Sequence, residues 1–150
     1  MAMTMNGEYQ LPATKDVVWQ KLNDAETLKA CIPGCEELNK TSDTSFEATA
    51  SIKIGPVKAR FKGKVDLTDM DPPNGYRISG EGSGGVAGFA KGGATVKLED
   101  KDGGTLLKYD VDAQIGGKLA QLGQRLVNGA AKKIADDFFA NFAKACSPAA

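Results

Sequence analysis

The sequence predicts an α+β domain: a curved antiparallel sheet of about six to seven strands around one long C-terminal helix, with two short helices after the first strand. Three observations predict it. Residues 117–145 are the only long stretch whose apolar residues recur in steps of three and four, at Leu119, Leu122, Leu126, Ala130, Ile134, Phe138 and Phe142. That spacing places them on one side of an α-helix about 40 Å long. From residue 36 to residue 115 the period is two, apolar against polar, which describes antiparallel strands with one covered and one wet face. Between the opening strand and that alternation lie two short helical patterns.

The elements follow in order. Residues 8–13 read as a strand that Pro12 stops. Thr14 is placed to cap a helix reaching about Leu22, with Asp16 in its first turn and Val18, Trp19 and Leu22 on one side. Asp24 can cap a second helix over 25–31, which Pro33-Gly34 ends. Phe46, Ala48, Ala50, Ile52 and Ile54 then alternate with polar residues as far as the turn Gly55-Pro56. Val57, Ala59, Phe61, Gly63, Val65 and Leu67 return the chain in the clearest hairpin of the sequence. Pro72-Pro73-Asn74-Gly75 turns it again into a strand beginning Tyr76, Ile78 and Gly80. Ala94, Val96 and Leu98 mark the next strand, and Asp102-Gly103-Gly104 the next turn. Thr105, Leu107, Tyr109, Val111, Ala113 and Ile115 line one face of the last strand, and Gly116-Gly117 releases the helix. The whole, 1–150, reads as one domain, with 1–6 and 147–150 as frayed tails.

Composition narrows the function. Nineteen basic and nineteen acidic side chains cancel, which argues against a surface built to neutralise many phosphates. The absence of histidine excludes Ser-His-Asp and Cys-His triads and removes the commonest nitrogen ligand of zinc. No apolar run approaches 18 residues and no signal-peptide pattern opens the chain, so the expectation is a cytoplasmic protein without a membrane span. Three cysteines, an odd number, fit the same reducing setting.

Five features invite a functional reading. Small residues, Gly123, Ala130 and Ala131, lie within the apolar stripe of the long helix, and leave either a close helix–sheet approach or a hollow. The glycine-rich run 80–93 contains a formal G-x-G-x-x-G at Gly80, Gly82 and Gly85, but strand-like residues follow it where a dinucleotide site needs a helix. It reads instead as bends that let a sheet curl, or as a mobile lip with Val86 and Phe89 at a pocket mouth. Lys58, Arg60, Lys62 and Lys64 form a basic row on the wet face of one strand, suited to an acidic partner or an anionic membrane, or simply solvated beside residues such as Glu47. Cys31 and Cys35, four apart, with Cys146 distant, make a poor metal set and read as buried thiols. Asp110/Asp112 and Asp136-Asp137 are the only close carboxylate pairs worth testing for acid–base work, and a solvated surface is the plainer reading of Asp110 and Asp112.

The chain resembles the CoxG family, named for the G component of carbon monoxide dehydrogenase, within the START-like helix-grip fold. The resemblance is carried by Gly7-Glu8-Tyr9-Gln10-Leu11, by Val18-Trp19-Gln20-Lys21-Leu22-Asn23-Asp24, by Leu28-Lys29-Ala30-Cys31-Ile32-Pro33-Gly34-Cys35-Glu36, by Ile54-Gly55-Pro56-Val57 and Phe61-Lys62-Gly63-Lys64-Val65, and by the glycines of 85–93. It covers essentially the whole chain. It implies a sheet gripping the C-terminal helix around an apolar cavity. It also implies an accessory role beside a molybdenum hydroxylase-type dehydrogenase, in recruiting that enzyme to the cytoplasmic membrane or in binding a quinone or lipid. Members with a clear membrane role often carry a further C-terminal segment, and this chain ends at Ala150, just after its helix. No catalytic residue, metal or cofactor is implied. On that basis Phe61, Tyr76, Ile78, Val96, Tyr109, Val111, Leu122, Leu126 and Ala130 are the expected cavity wall, with Phe89 as lip. Two other classes remain: a protein–protein adaptor docking through Lys58, Arg60, Lys62 and Lys64, and a cyclase or hydrolase of the same fold with an inward Asp, Glu or Tyr.

Overall fold

The computed structural model describes residues 1–147. Its elements run β1 (Ala2–Leu11), α1 (Lys15–Leu22), α2 (Ala25–Cys31), β2 (Cys35–Ser42), β3 (Ser45–Ile54), β4 (Val57–Asp71), β5 (Gly75–Ser83), β6 (Phe89–Lys101), β7 (Gly104–Gly116), α3 (Lys118–Gln121) and α4 (Gln124–Cys146). A single 3-10 turn, Gly85–Ala87, joins β5 to β6. All seven strands form one antiparallel sheet in the order β1-β7-β6-β5-β4-β3-β2. Strands β2 to β7 are therefore a plain meander, and β1 closes against the last of them.

The expected fold class is the observed one, with two corrections. Residues 2–6 are not frayed: Ala2 pairs with Gln114 and Met3 with Ala113, and Met3 is buried. The tail expected over 147–150 lies, beyond Ser147, outside the described residues. The long C-terminal helix is also not continuous. It breaks after the single turn of α3, where Gly123 has φ +89°, a left-handed conformation that glycine adopts without steric cost. A Cβ there would meet nothing within 4 Å. Gly123 is thus a joint between two helices, not a small residue at a close contact.

The break resets the helical phase. The buried positions of α4 are Val127, Phe139, Phe142 and Cys146, whereas Leu126, expected in the buried stripe, is 43% exposed. Burial divides the core in two. One cluster, around Leu11, Val18, Leu22, Leu107 and Phe142, joins α1, α2 and the C-terminal half of α4 to the sheet. A smaller one, Met3, Ile115, Leu119 and Val127, sits at the other end, under α3 and the start of α4.

Candidate functional site

The concave face of the sheet between those clusters is the candidate site. Its composition follows from strand register. Ala48, Gly63, Gly82 and Ala90 are successive cross-strand neighbours on β3, β4, β5 and β6. In the adjacent row Gly80 faces Gly92, and Gly92 faces Ala113. These two short rows carry nothing larger than a methyl group, and Val65 and Ile115 bound them in register. The helix opposite is equally spare, with Ala130 and Ala131 half-buried. The bend there requires glycine at more than one point. A Cβ on Gly92 would stand 2.1 Å from the Asp112 carbonyl oxygen, and one on Gly63 would stand 2.7 Å from that of Glu81. The glycine-rich run is thus bend and turn, with strands before and after it, and the dinucleotide geometry is absent.

The expected wall residues separate into three groups. Tyr76, Val96 and Tyr109 are buried in the larger cluster, Tyr76 edge-on to Trp19 with ring centroids 5.2 Å apart. Phe61, Ile78, Val111, Leu122 and Ala130 are half-buried, and Val111 touches both clusters. These five border the rows of small residues or the turn into α4. Leu126 lies outside, beside the β3–β4 turn, where its Cδ2 would be 3.1 Å from a Cβ on Gly55.

Phe89 is a correction. It alternates with Ala90, which packs inward, so its ring stands on the convex face. There it covers Gly116 and borders a recess of about 400 Å³ with Lys62, Lys64, Glu81, Ser83 and Lys91. It is no lip of the concave face. A shallower basin of about 600 Å³ also lies on the convex face, lined by Lys64, Asp66, Ser79, Glu81, Lys91, Asp112 and Gln114. Its charges alternate in sign.

The basic row is where the alternation of β4 places it, exposed on the convex face. Arg60 pairs with Glu36 at 2.8 Å, and Lys64 lies across from Glu47 and Glu81 in register. Lys58 faces Lys53, a like-charged neighbour. Cys31, Cys35 and Cys146 are all free thiols. Burial pushes each of them up, Cys146 to about 11, so they stay protonated and unreactive near neutral pH.

A polar group that the sequence does not join as a unit occupies the crevice between β1 and α4. The Tyr9 hydroxyl donates to the Asp136 carboxylate, and Lys132 Nζ lies 2.9 Å from the other carboxylate oxygen. Tyr9 stacks on Phe139 at 4.3 Å, and Phe139 on Tyr109 at 5.4 Å. Tyr9, Tyr109, Lys132 and Asp136 line a recess of about 260 Å³ with Met5, Asn6, Gly7 and Glu8. Burial first, and the Asp136 carboxylate next, push the Tyr9 hydroxyl up. Asp136 and Asp137 do not act as a pair, because each is engaged by the lysine four residues before it. Register offers one clue, since Gly7 is the cross-strand partner of Tyr109. Nothing in the sequence joins Tyr9 to Asp136, which are 127 residues apart.

Among the described residues, no His, Cys, Asp and Glu side chains gather in a metal-holding group, and no helix is long and apolar enough to cross a membrane.

An antiparallel sheet curled over a C-terminal helix, with two short helices after its first strand, defines a helix-grip protein of the START-like class. The chain belongs to the CoxG family, the G component of carbon monoxide dehydrogenase, whose sequence profile matches residues 7–147. That family is one of accessory, non-catalytic components. None of the curated proteins matches the sequence significantly. Among solved structures, a conserved protein from Geobacillus kaustophilus is 34% identical, with a TM-score of 0.90 over 96% of this chain and 95% of that one. The aromatase/cyclase Zhui from Streptomyces sp. R1128 shares the fold at 11% identity, with a TM-score of 0.67 over 97% of this chain and 94% of its own. Ara h 8.0201 shares it at 19% identity, with a TM-score of 0.66 over 97% of this chain and 98% of its own. The last two likenesses concern the fold alone.

Proposed function

We propose that this chain is a non-enzymatic binder of an apolar, quinone- or lipid-like small molecule. In this reading it serves a molybdenum-containing, carbon monoxide dehydrogenase-type enzyme as an accessory that brings it to the cytoplasmic face of the membrane. One observation carries the binding part. The core is split into two buried clusters, and the apolar residues between them stay half-exposed behind facing rows of Gly and Ala. A domain needing only stability would fill that space, because close packing is what buried surfaces gain from. A preformed apolar concavity with few polar groups is the usual form of a small-molecule site. The raised hydroxyls of Tyr76 and Tyr109 stay protonated near neutrality, which favours binding over acid–base chemistry on this wall.

The test is native mass spectrometry of the purified protein for a co-purified apolar molecule, paired with Ala130→Trp. Indole bulk at Ala130 should occupy the space between helix and sheet and abolish uptake of an apolar fluorescent probe while the fold persists. Unchanged uptake would sink the reading.

The exposed row on β4 favours a second, compatible reading, an adaptor docking an acidic partner. Among the described residues only Arg60 of its four cations forms an ion pair. Lys62 and Lys64 also share their recess with the half-exposed Phe89, the combination that suits an anionic membrane surface. Replacing Lys58, Lys62 and Lys64 by Glu should break co-precipitation with the dehydrogenase if the row is the docking surface. Retained co-precipitation removes it.

A further inference from the structure

The crevice between β1 and α4 is open where the larger cluster ends. Tyr9 and Tyr109 both belong to the inward rows of their strands, and Met5, in the same crevice, is the cross-strand neighbour of half-buried Val111. The register thus sets the crevice beside the apolar strip. Its hydroxyls differ in their commitments. Tyr9 donates its proton to Asp136, and Lys132 holds that carboxylate in place. Tyr109 projects its hydroxyl over Gly7, and the lack of a side chain at Gly7 leaves it room: a Cβ there would be 2.8 Å from the Tyr109 oxygen.

We propose that the Tyr109 hydroxyl, with Tyr9 fixed beside it by Asp136 and Lys132, is the polar recognition point for a ligand whose apolar body lies in the strip and whose end carries a hydrogen-bond-accepting oxygen, such as a ketone carbonyl. This rests on the binding reading above and adds to it which end of the molecule is read, and by which group. The physical basis is selective. An apolar strip accepts any molecule of suitable size, but one donor in a half-dry crevice distinguishes ligands that can accept from those that cannot. The flat rings of Tyr9, Phe139 and Tyr109, all three pairs within 20° of parallel, favour a planar end group.

Two probes of nearly equal size separate these ideas: 2-acetylnaphthalene, which carries a ketone, and 2-ethylnaphthalene, which does not. Both are titrated into the full chain by fluorescence, and the quantity read is the ratio of their affinities. The wild type should prefer the ketone about five-fold, the worth of one net hydrogen bond. Tyr109→Phe keeps the ring stack and should bring the ratio close to one. Gly7→Ala keeps both hydroxyls but crowds the Tyr109 oxygen, and should lower the ratio too, which guards against a folding defect in the first variant. A wild-type ratio near one, or a ratio unmoved by both variants, overturns this inference and leaves the strip as an unselective site. If neither probe binds the wild type, the binding reading fails and takes the inference with it.

Discussion

Phe61 and Phe142 are the same side chain in two environments, and replacing each by Ala measures whether the strip is hollow. Phe142 is fully buried and stacks on Phe138 at 5.6 Å. Its removal loses both transfer free energy and packing, and leaves a cavity, at a cost of about 3–5 kcal/mol. Phe61 sits on the inward row of β4, half-buried, with its ring against Gly84, at the edge of the smaller cluster and beside Ala50, Ala59 and Gly63. In the binding reading the space beside it is open and no enclosed cavity is created, so the cost reduces to part of the transfer term, about 1 kcal/mol. With a urea slope of about 2 kcal/mol/M for a domain of this size, the midpoint should fall by about 2 M for Phe142→Ala and by about 0.5 M for Phe61→Ala. The assay is equilibrium urea unfolding followed by Trp19 fluorescence, Trp19 being the chain's one tryptophan, packed against Tyr76 in the larger cluster. Equal shifts for the two variants would refute the reasoning, because they would mean that the strip is packed in solution.

Three further outcomes follow from single positions. Gly92→Val should destabilise by more than about 2 kcal/mol in the same assay, since its Cβ would stand 2.1 Å from the Asp112 carbonyl oxygen and neither strand can yield without losing ladder bonds. Gly123→Ala meets no atom within 4 Å, so its cost is conformational only, about 1–3 kcal/mol for a backbone at φ +89° and ψ 154°, a region essentially reserved to glycine; a loss above about 4 kcal/mol would mean that the joint does more than turn the chain. The Tyr9 hydroxyl, and after it Lys132, hold the Asp136 carboxyl below its ordinary value. A carboxyl that ionises more easily folded than unfolded stabilises the fold fully above the ordinary carboxylate range. That contribution fades as the pH falls through the lowered value. Asp136→Asn should therefore flatten the acid limb of a stability–pH profile and leave its shape above about pH 6 unchanged; an unaltered acid limb counts against the Tyr9–Asp136–Lys132 arrangement.

Period is enough to read the sheet, because alternation is a local property and each meander turn is a short sequence signal. Parity alone places Phe46, Val57 and Leu107 on the inward face. The same kind of reasoning misreads the helix. Leu119, Leu122 and Leu126 continue a helical spacing across Gly123, and periodicity does not register that one glycine has a positive φ. The phase slips by one residue there, Leu126 turns out to solvent and Val127 takes the buried place. Phe89 is misplaced through the turn Gly85–Ala87, whose length decides which face of β6 each residue takes and which composition does not specify. The Tyr9–Asp136 contact lies beyond any sequence reading, since it is made where the first strand and the last helix meet.

The register adds to the binding reading a feature that the helix alone does not supply. Small residues on a helix bring it closer to a flat sheet, and a close approach is one of the two outcomes that Ala130 and Ala131 allow. Here β4, β5 and β6 of the curled sheet carry Gly63, Gly80, Gly82 and Gly92, and a Cβ on Gly63 or Gly92 would stand within 2.7 Å of a neighbouring carbonyl oxygen. The bend holds the sheet's ends against α1, α2 and α3 through the two buried clusters. The distance between helix and sheet is therefore fixed at both ends by large side chains such as Phe142 and Val127. Between those supports Ala130 and Ala131 are half-buried, and the helix cannot move toward the sheet without unpacking an end. At Gly63 and Gly92 a side chain on the sheet is ruled out, because a Cβ there would stand 2.7 Å and 2.1 Å from a neighbouring carbonyl oxygen. The helix side has no such restriction, which is why the binding reading is tested at Ala130.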